Sequence, residues 1–363
     1  MKVAICGGGT GGHLHPLLAL AGELKSREDV ELTLYLSSKT PDSRLPMEDW
    51  AIRLEVSGFE RRPDTANLKA VKLLFEAFGI CRRHMKEHGP DVAIAFGGYA
   101  SVPGAMAARS LGVSLVLHEQ NVVPGLANRM LAPMAKKIAI SFPDTLERCP
   151  RWSGKAVVTG NPLWKPVMEG MEEDPWRHFG LERGRKTLAV IGGSQGAASL
   201  NRAVAQLLPP WRERGDLQVI HSVGRDKFLE YESELAGTET DKLLYRPMGF
   251  IKRMDLLYEV SDLVVCRAGA STVSELAAAG CASILVPYPY ATASHQDANA
   301  AVLARAGAAV VIDDRELEGE RLHHEIDRLL DDPGRLCKMR ESSRGVARKD
   351  ASAALAEIVL SCV

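Results

Sequence analysis

The chain lacks any apolar run approaching the about 20 residues that a membrane-spanning helix needs. It also lacks a dominant charge. With 45 Lys and Arg against 46 Asp and Glu, the formal net charge is −1, so there is no global basic field of the kind nucleic-acid-binding proteins carry. Cysteine is sparse and scattered: seven residues, at positions 6, 81, 149, 266, 281, 337 and 362, with no Cys-x-x-Cys spacing. An odd, unpaired set speaks against a disulfide framework or a zinc site and for reduced thiols. Residues 2–7 already read as a strand, so no secretory leader is expected. Low-complexity tracts and short-period repeats are absent too. These absences lead us to expect a soluble, cytosolic protein. At 363 residues it is long for one core and sufficient for two.

What is present is a phrase that occurs twice. Val3-Ala4-Ile5-Cys6 runs into Gly7-Gly8-Gly9-Thr10-Gly11-Gly12-His13, and Leu188-Ala189-Val190-Ile191 runs into Gly192-Gly193-Ser194-Gln195-Gly196-Ala197. Each apolar run is too continuous for a half-exposed strand, ends in glycines and precedes a helix-period stretch. That is how the first turn of a doubly wound parallel sheet reads, with backbone amides and a helix N-terminus facing an anionic ligand. Two such starts predict two similar α/β domains facing each other across a cleft.

The remaining pattern agrees. Leu14, Leu17, Leu18, Ala21 and Leu24 recur with helical spacing. A strand is expected at 30–36, a helix over 67–88 and a strand over 91–96 that enters Gly97-Gly98-Tyr99-Ala100-Ser101. The strand at 113–118 leads into Glu119-Gln120-Asn121, and the one at 156–159 into Gly160-Asn161-Pro162. The polar segment to about residue 185 reads as a connection, after which strands are expected at 187–191, 217–222, 243–245, 263–266, 283–286 and 309–312. Helical character over about 333–361 ends the chain. We therefore divide it into 1–162, 163–340 and a C-terminal helix over 341–363 that packs back on the first domain.

The glycine loops admit more than one ligand. Gly7, Gly9 and Gly12 satisfy G-x-G-x-x-G, so an NAD(P)-dependent oxidoreductase is one reading. That fingerprint also wants an acidic residue ending the second strand, where this chain has Leu36-Ser37-Ser38-Lys39. His13, directly after Gly12, is either a surface residue or a neutral imidazole placed as a general base by a helix N-terminus. In Gly269-Ala270-Ser271-Thr272-Val273-Ser274-Glu275 the spacing Thr272-x-x-Glu275 makes a capping box. The same residues would also offer amides to a diphosphate and a carboxylate to two ribose hydroxyls. Spacing alone favours the cap.

Seven blocks occur in order: residues 8–13, 97–101, 118–121, 160–162, 192–197, 269–275 and 295–300 (His-Gln-Asp-Ala-Asn-Ala). Together they resemble the MurG family, the undecaprenyl-diphospho-muramoylpentapeptide β-N-acetylglucosaminyltransferases of peptidoglycan synthesis. The resemblance runs from residue 3 to about residue 350. It implies a GT-B fold of two Rossmann-like domains, the first for the acceptor and the second for the donor. The donor would be UDP-N-acetylglucosamine. The acceptor would be the lipid-linked muramoyl-pentapeptide (lipid I), glycosylated with inversion to lipid II. It further implies that Thr10, Gly11, Gly12 and Asn121 approach the donor from the acceptor side. Ser194, Ile251, Ala270, Ser271, Thr272, Glu275 and Gln296 would hold the nucleotide sugar. His13 would be the base, with Glu119 as the other candidate. No metal or cofactor is implied. Trp164 stands where family members commonly have arginine, two residues after Gly-Asn-Pro. A glycolipid synthase or a UDP-N-acetylglucosamine 2-epimerase would share the fold. The lipid acceptor also implies peripheral docking at the cytoplasmic face of the membrane. Residues 68–86 carry Leu68, Val71, Leu73, Leu74, Phe75, Phe78 and Ile80 beside Lys69, Lys72, Arg82, Arg83 and Lys86. Most of these apolar residues are expected to pack on the sheet, with the basic edge and a few exposed apolar ones meeting anionic lipid.

Overall fold

The structure is a computed structural model and describes residues 1–9, 11–40, 50–58, 65–163, 173–193, 195–228, 242–291 and 294–363. The chain forms two compact units, Met1–Trp164 with Arg348–Val363, and Lys165–Ala347.

In the first unit the strands β1 (Lys2–Gly7), β2 (Glu31–Ser37), β3 (Ala51–Leu54), β4 (Val92–Ala95), β5 (Ser114–Glu119), β6 (Lys137–Ile140) and β7 (Ala156–Val158) make one parallel sheet, ordered β3-β2-β1-β4-β5-β6-β7. Its helices are α1 (Gly11–Lys25), α2 (Thr65–His88), α3 (Val102–Ser110), α4 (Leu126–Leu131) and α5 (Thr145–Arg148). Val3 and Ile5 point to the face covered by Leu14, Leu17 and Leu24 of α1. Ala4 and Cys6 point to the opposite face, covered by α2 and α3 through Ala77, Cys81, Met85, Ala105 and Ala108. Burial on both faces is why β1 reads as an unbroken apolar run. Strand order reverses between β1 and β4, so the turns after these two strands flank a topological switch point, where open α/β sheets bind ligands.

The second unit repeats the plan. β8 (Lys186–Ile191), β9 (Leu217–Ser222), β10 (Leu244–Met248), β11 (Leu263–Cys266), β12 (Ser283–Leu285) and β13 (Ala309–Val311) are parallel and ordered β10-β9-β8-β11-β12-β13. The helices are α6 (Pro175–Phe179), α7 (Ala198–Trp211), α8 (Met254–Val260), α9 (Ala270–Ala279), α10 (His295–Arg305), α11 (Gly319–Leu330) and α12 (Pro333–Val346). Here the switch point lies between β8 and β11, beside the Gly192 and Gly269 turns.

The chain then re-enters the first unit through α13 (Ala351–Leu360). Leu355, Ala356 and Val359 join the α1 face of the core, and Arg27 Nη1 donates to Glu357 Oε1 at 2.6 Å. Residues 341–363 are therefore not one helix. α12 ends at Val346, and Ala347 turns extended (φ −61°, ψ 140°). Gly345 and the charged run 348–350 break the apolar period at this point. Arg348 lies on Gly160, whose φ is +84°, and a Cβ there would collide with the Arg348 Cβ.

Three further features depart from the sequence reading. β3 and β6 were not expected, being four-residue strands carrying Arg53 and Lys137. The expected connection holds α6, where Asp174 caps Trp176 N at 3.0 Å and Gly180 closes the helix in the left-handed region (φ 60°).

Candidate functional site

In the first unit the site is built on the turns after β1, β4 and β5. Packing accounts for some of its glycines. A Cβ on Gly7 would sit 2.9 Å from Leu17, and one on Gly8 2.8 Å from Thr40 Oγ1. Gly9 N donates to the same Thr40 oxygen at 3.2 Å. At Gly12, by contrast, an added Cβ would meet nothing within 4 Å. Gly11 and Gly12 are exposed at the start of α1, where first-turn amides lack intrahelical acceptors.

His13 follows, half-buried, with Nδ1 2.9 Å from Gln120 Oε1. Its ring lies over Gly98, where a Cβ would come within 3.2 Å of Cδ2 and 3.3 Å of Nε2. Among the described residues, Nε2 has no hydrogen-bond partner. Behind it, His118 is fully buried and donates from Nε2 to Gly160 O at 3.2 Å. Burial pushes its pKa down to about 4, so at neutral pH this ring is uncharged.

Glu119, the other candidate base, is 1% exposed and committed to its own loop. Oε1 accepts from Asn121 N at 2.9 Å, and Oε2 from Gly125 N at 3.0 Å and Asn128 Nδ2 at 2.9 Å. These contacts describe a carboxylate that shapes residues 119–128. Asn121 is thereby held at the end of β5, its side-chain amide 3.4 Å from the same carboxylate.

In the second unit, a cavity of about 1640 Å³ is lined by Gly192 and Gly193 after β8, Gly269 and Thr272 at the start of α9, Gln296 on α10, and Arg267, Tyr288 and Asp314. That is larger than the about 300–1,000 Å³ of common small-molecule sites. The Gly192 turn is tight: an added Cβ would be 2.5 Å from Ala197 N, and one on Gly196 would strike Val223 O. Gly193, between them, faces open space.

α9 begins at Ala270, with Gly269 as N-cap and no side-chain cap. Thr272 therefore lies inside the first turn, and the expected Thr272–Glu275 capping box does not form. Glu275 Oε2 instead accepts from Tyr258 OH at 2.8 Å. The amides of Ala270, Ser271 and Thr272 are left without intrahelical acceptors, and the buried Ser271 Oγ has no partner among the described residues. Burial pushes the Glu275 carboxyl up to about 7, against the hydrogen bond from Tyr258. Gln296 Oε1 accepts from Ala268 N at 3.1 Å and Tyr288 N at 2.9 Å, which identifies Nε2 as the donor end of this amide.

The structure thus brings Thr272 and Gln296 into the lining of one cavity, while Ala270, Ser271 and Glu275 lie on α9 outside that lining. Ile251 is buried, at 4% exposure, and does not line this cavity. Thr10, Ser194 and Trp164 lie outside the described residues. Sequence reasoning gave no role to Arg267, whose guanidinium bonds Asp314 Oδ1 at 2.6 Å and Ser199 Oγ at 2.8 Å and so ties the turn after β11 to the first turn of α7 and to the short helical turn at Asp314. Its position just before the Gly269 motif was a hint. Asp314, 47 residues further on, gave none.

Comparison with known proteins matches residues 3–140 to the glycosyltransferase family 28 N-terminal domain and residues 187–355 to the glycosyltransferase family 28 C-terminal domain. The chain is 36% identical over 355 residues (96% of this chain, 95% of the relative) to the UDP-N-acetylglucosamine--N-acetylmuramyl-(pentapeptide) pyrophosphoryl-undecaprenol N-acetylglucosamine transferase of Halothermothrix orenii. It is 34% identical over 363 residues, 99% of each chain, to the same-named transferase of Bacillus subtilis. The crystal structure of Acinetobacter baumannii MurG superimposes with a TM-score of 0.74 at 29% identity, covering 99% of each chain. A UDP-GlcNAc 2-epimerase from Neisseria meningitidis reaches a TM-score of 0.72 at 12% identity, a likeness of fold alone. With both halves matched and relatives this similar along their whole length, the chain belongs to the MurG family of N-acetylglucosamine transferases and has its GT-B fold.

Proposed function

We propose that this chain transfers N-acetylglucosamine from UDP-N-acetylglucosamine to the 4-hydroxyl of undecaprenyl-diphospho-N-acetylmuramoyl-pentapeptide, with inversion at the anomeric carbon. The observation that carries this reading is the likeness, across both units, to relatives bearing that transferase name.

In our reading the second unit binds the donor. The amides at the start of α9, with the Ser271 hydroxyl, take the diphosphate and stabilise the charge that grows as UDP leaves. Glu275 accepts from the ribose hydroxyls, and Gln296 Nε2 donates to the sugar. The first unit handles the acceptor. His13 Nε2 takes the 4-hydroxyl proton while that oxygen bonds to the anomeric carbon. We assign the base role to His13 over Glu119 because the lone pairs of Glu119 are already occupied by four donors in its own loop.

The acceptor is lipid-linked, yet no helix among the described residues is long and apolar enough to cross a membrane. We place the docking face on α2. Ala70, Ala77, Cys81 and Met85 point inward, while Leu68 and Phe75 are 74% and 72% exposed, one helical face apart from the core stripe. Lys69, Lys72, Arg82, Arg83 and Lys86 are exposed on the same helix. Such a face sits in the headgroup region of an anionic bilayer.

The test is incubation with UDP-N-acetylglucosamine and a short-chain lipid I analogue, followed by mass spectrometry and anomeric NMR of the product. A β-linked disaccharide with one UDP released per transfer is expected. Epimerised UDP-sugar, or UDP released without transfer, would overturn the reading.

A further inference from the structure

We infer that Gln120 is a positioning residue that fixes the tautomer of His13, and so decides which ring nitrogen receives the acceptor proton. The inference rests on the proposed role of His13 as base.

Gln120 is 1% exposed, on the turn after β5. Its Nε2 lies 3.0 Å from Phe96 O, 3.2 Å from His118 O and 2.9 Å from His118 Nδ1. Two of those neighbours are carbonyl oxygens, which only accept, so this end of the amide must be the NH2. The end facing His13 is therefore the carbonyl, with Oε1 2.9 Å from Nδ1. An amide oxygen only accepts, so Nδ1 carries the hydrogen and the neutral ring keeps its lone pair on Nε2.

His118 locks the chain from behind. Its Nε2 donates to Gly160 O, which leaves Nδ1 to accept from Gln120. The buried ring stays neutral at ordinary pH, so this direction does not reverse. From Gly160 O to His13 every hydrogen points one way. Without Gln120 the imidazole would favour the Nε2–H form that free histidine prefers, with no lone pair at its open nitrogen.

The transfer balances on this arrangement. As the 4-oxygen bonds to the anomeric carbon, its proton moves to His13 Nε2. The bond from that carbon to the β-phosphate oxygen breaks, and its electron pair leaves with UDP. The imidazolium then carries hydrogen on both nitrogens, with Nδ1–H still held by Gln120. Solvent takes the extra proton afterwards.

The experiment is ¹⁵N NMR of histidine-labelled, ligand-free protein, together with steady-state kinetics of Gln120→Leu. In the wild type, His13 should show a protonated Nδ1 and a bare Nε2. Gln120→Leu should shift the ring toward Nε2–H and lower kcat by about ten- to a hundredfold, leaving KM for UDP-N-acetylglucosamine unchanged. A protonated Nε2 in the wild type overturns the inference. So does a lowered kcat with the tautomer unmoved, since that is what a merely structural glutamine would give. The wild-type spectrum needs neither substrate nor variant. Its failure leaves the transfer reading standing, and absence of transfer leaves the tautomer result standing.

Discussion

Gly12 and Glu275 are the residues at which folding and function separate most cleanly. Gly7, Gly8, Gly192 and Gly196 are all explained by neighbours that a Cβ would strike, whereas Gly12 has open space around it. Gly12→Ala should therefore fold normally, with stability unchanged or raised by up to about 1 kcal/mol, because alanine suits a helix better. Activity should fall if a ligand approaches that backbone. Thermal melts beside turnover assays check this, and a fully active variant would show that Gly12 faces no ligand. Glu275 carries a pH signature. Its carboxyl is raised to about 7, so its contribution to stability is full below its ordinary value of 4.5 and is lost as pH rises through 7. Ribose hydroxyls favour the carboxylate, so UDP affinity should increase across the same range. Glu275→Gln should abolish that increase and weaken UDP binding by about 2–4 kcal/mol. Calorimetry near about pH 6 and 8 reads both. Equal pH dependence in the variant would remove Glu275 from the ribose site. The sequence left this residue ambiguous because Gly269, Ser271 and Thr272 can each begin a helix; the choice of Gly269 made the capping box impossible.

Among the elements, the central strands were legible because they are buried on both faces and read as continuous apolar runs. β3 and β6 were not: four residues with one cation each give no periodicity to recognise. The split between α12 and α13 is marked locally by Gly345 and the charged run 348–350; what the sequence hides is the packing of Arg348 on Gly160, a contact 188 residues apart in the chain. For α2 the sequence offered two uses for the same apolar residues, and the fold divides them. Leu74 and Phe78 pack against the core, while Leu68, Val71, Phe75 and Ile80 stay exposed. Cosedimentation with phosphatidylglycerol vesicles should show salt-sensitive binding, at about 1 kcal/mol per basic residue near the surface. Lys72, Arg82 and Arg83→Glu together should lose most of it. Equal binding by both proteins at low salt, or by neither, would take the membrane face away from α2.

Across the whole molecule, the proposed labour is divided between two units of like topology. Each opens a glycine turn at its own switch point, and both turns were readable because strand, glycines and helix lie consecutively in the chain. The groups that condition those turns were not readable. Gln120, His118 and Gly160 form their relay across 42 residues, and Arg267 meets Asp314 only after β12 and β13 have intervened. In the proposed reaction the first unit removes the proton and the second holds the nucleotide. Turnover of His13→Ala at saturating UDP-N-acetylglucosamine, with a lipid I analogue as acceptor and UDP affinity measured on the same preparation, tests it most directly. The expected result is a loss in kcat of about 10²–10⁴-fold with UDP affinity unchanged. Retention of more than about a tenth of wild-type kcat would contradict it.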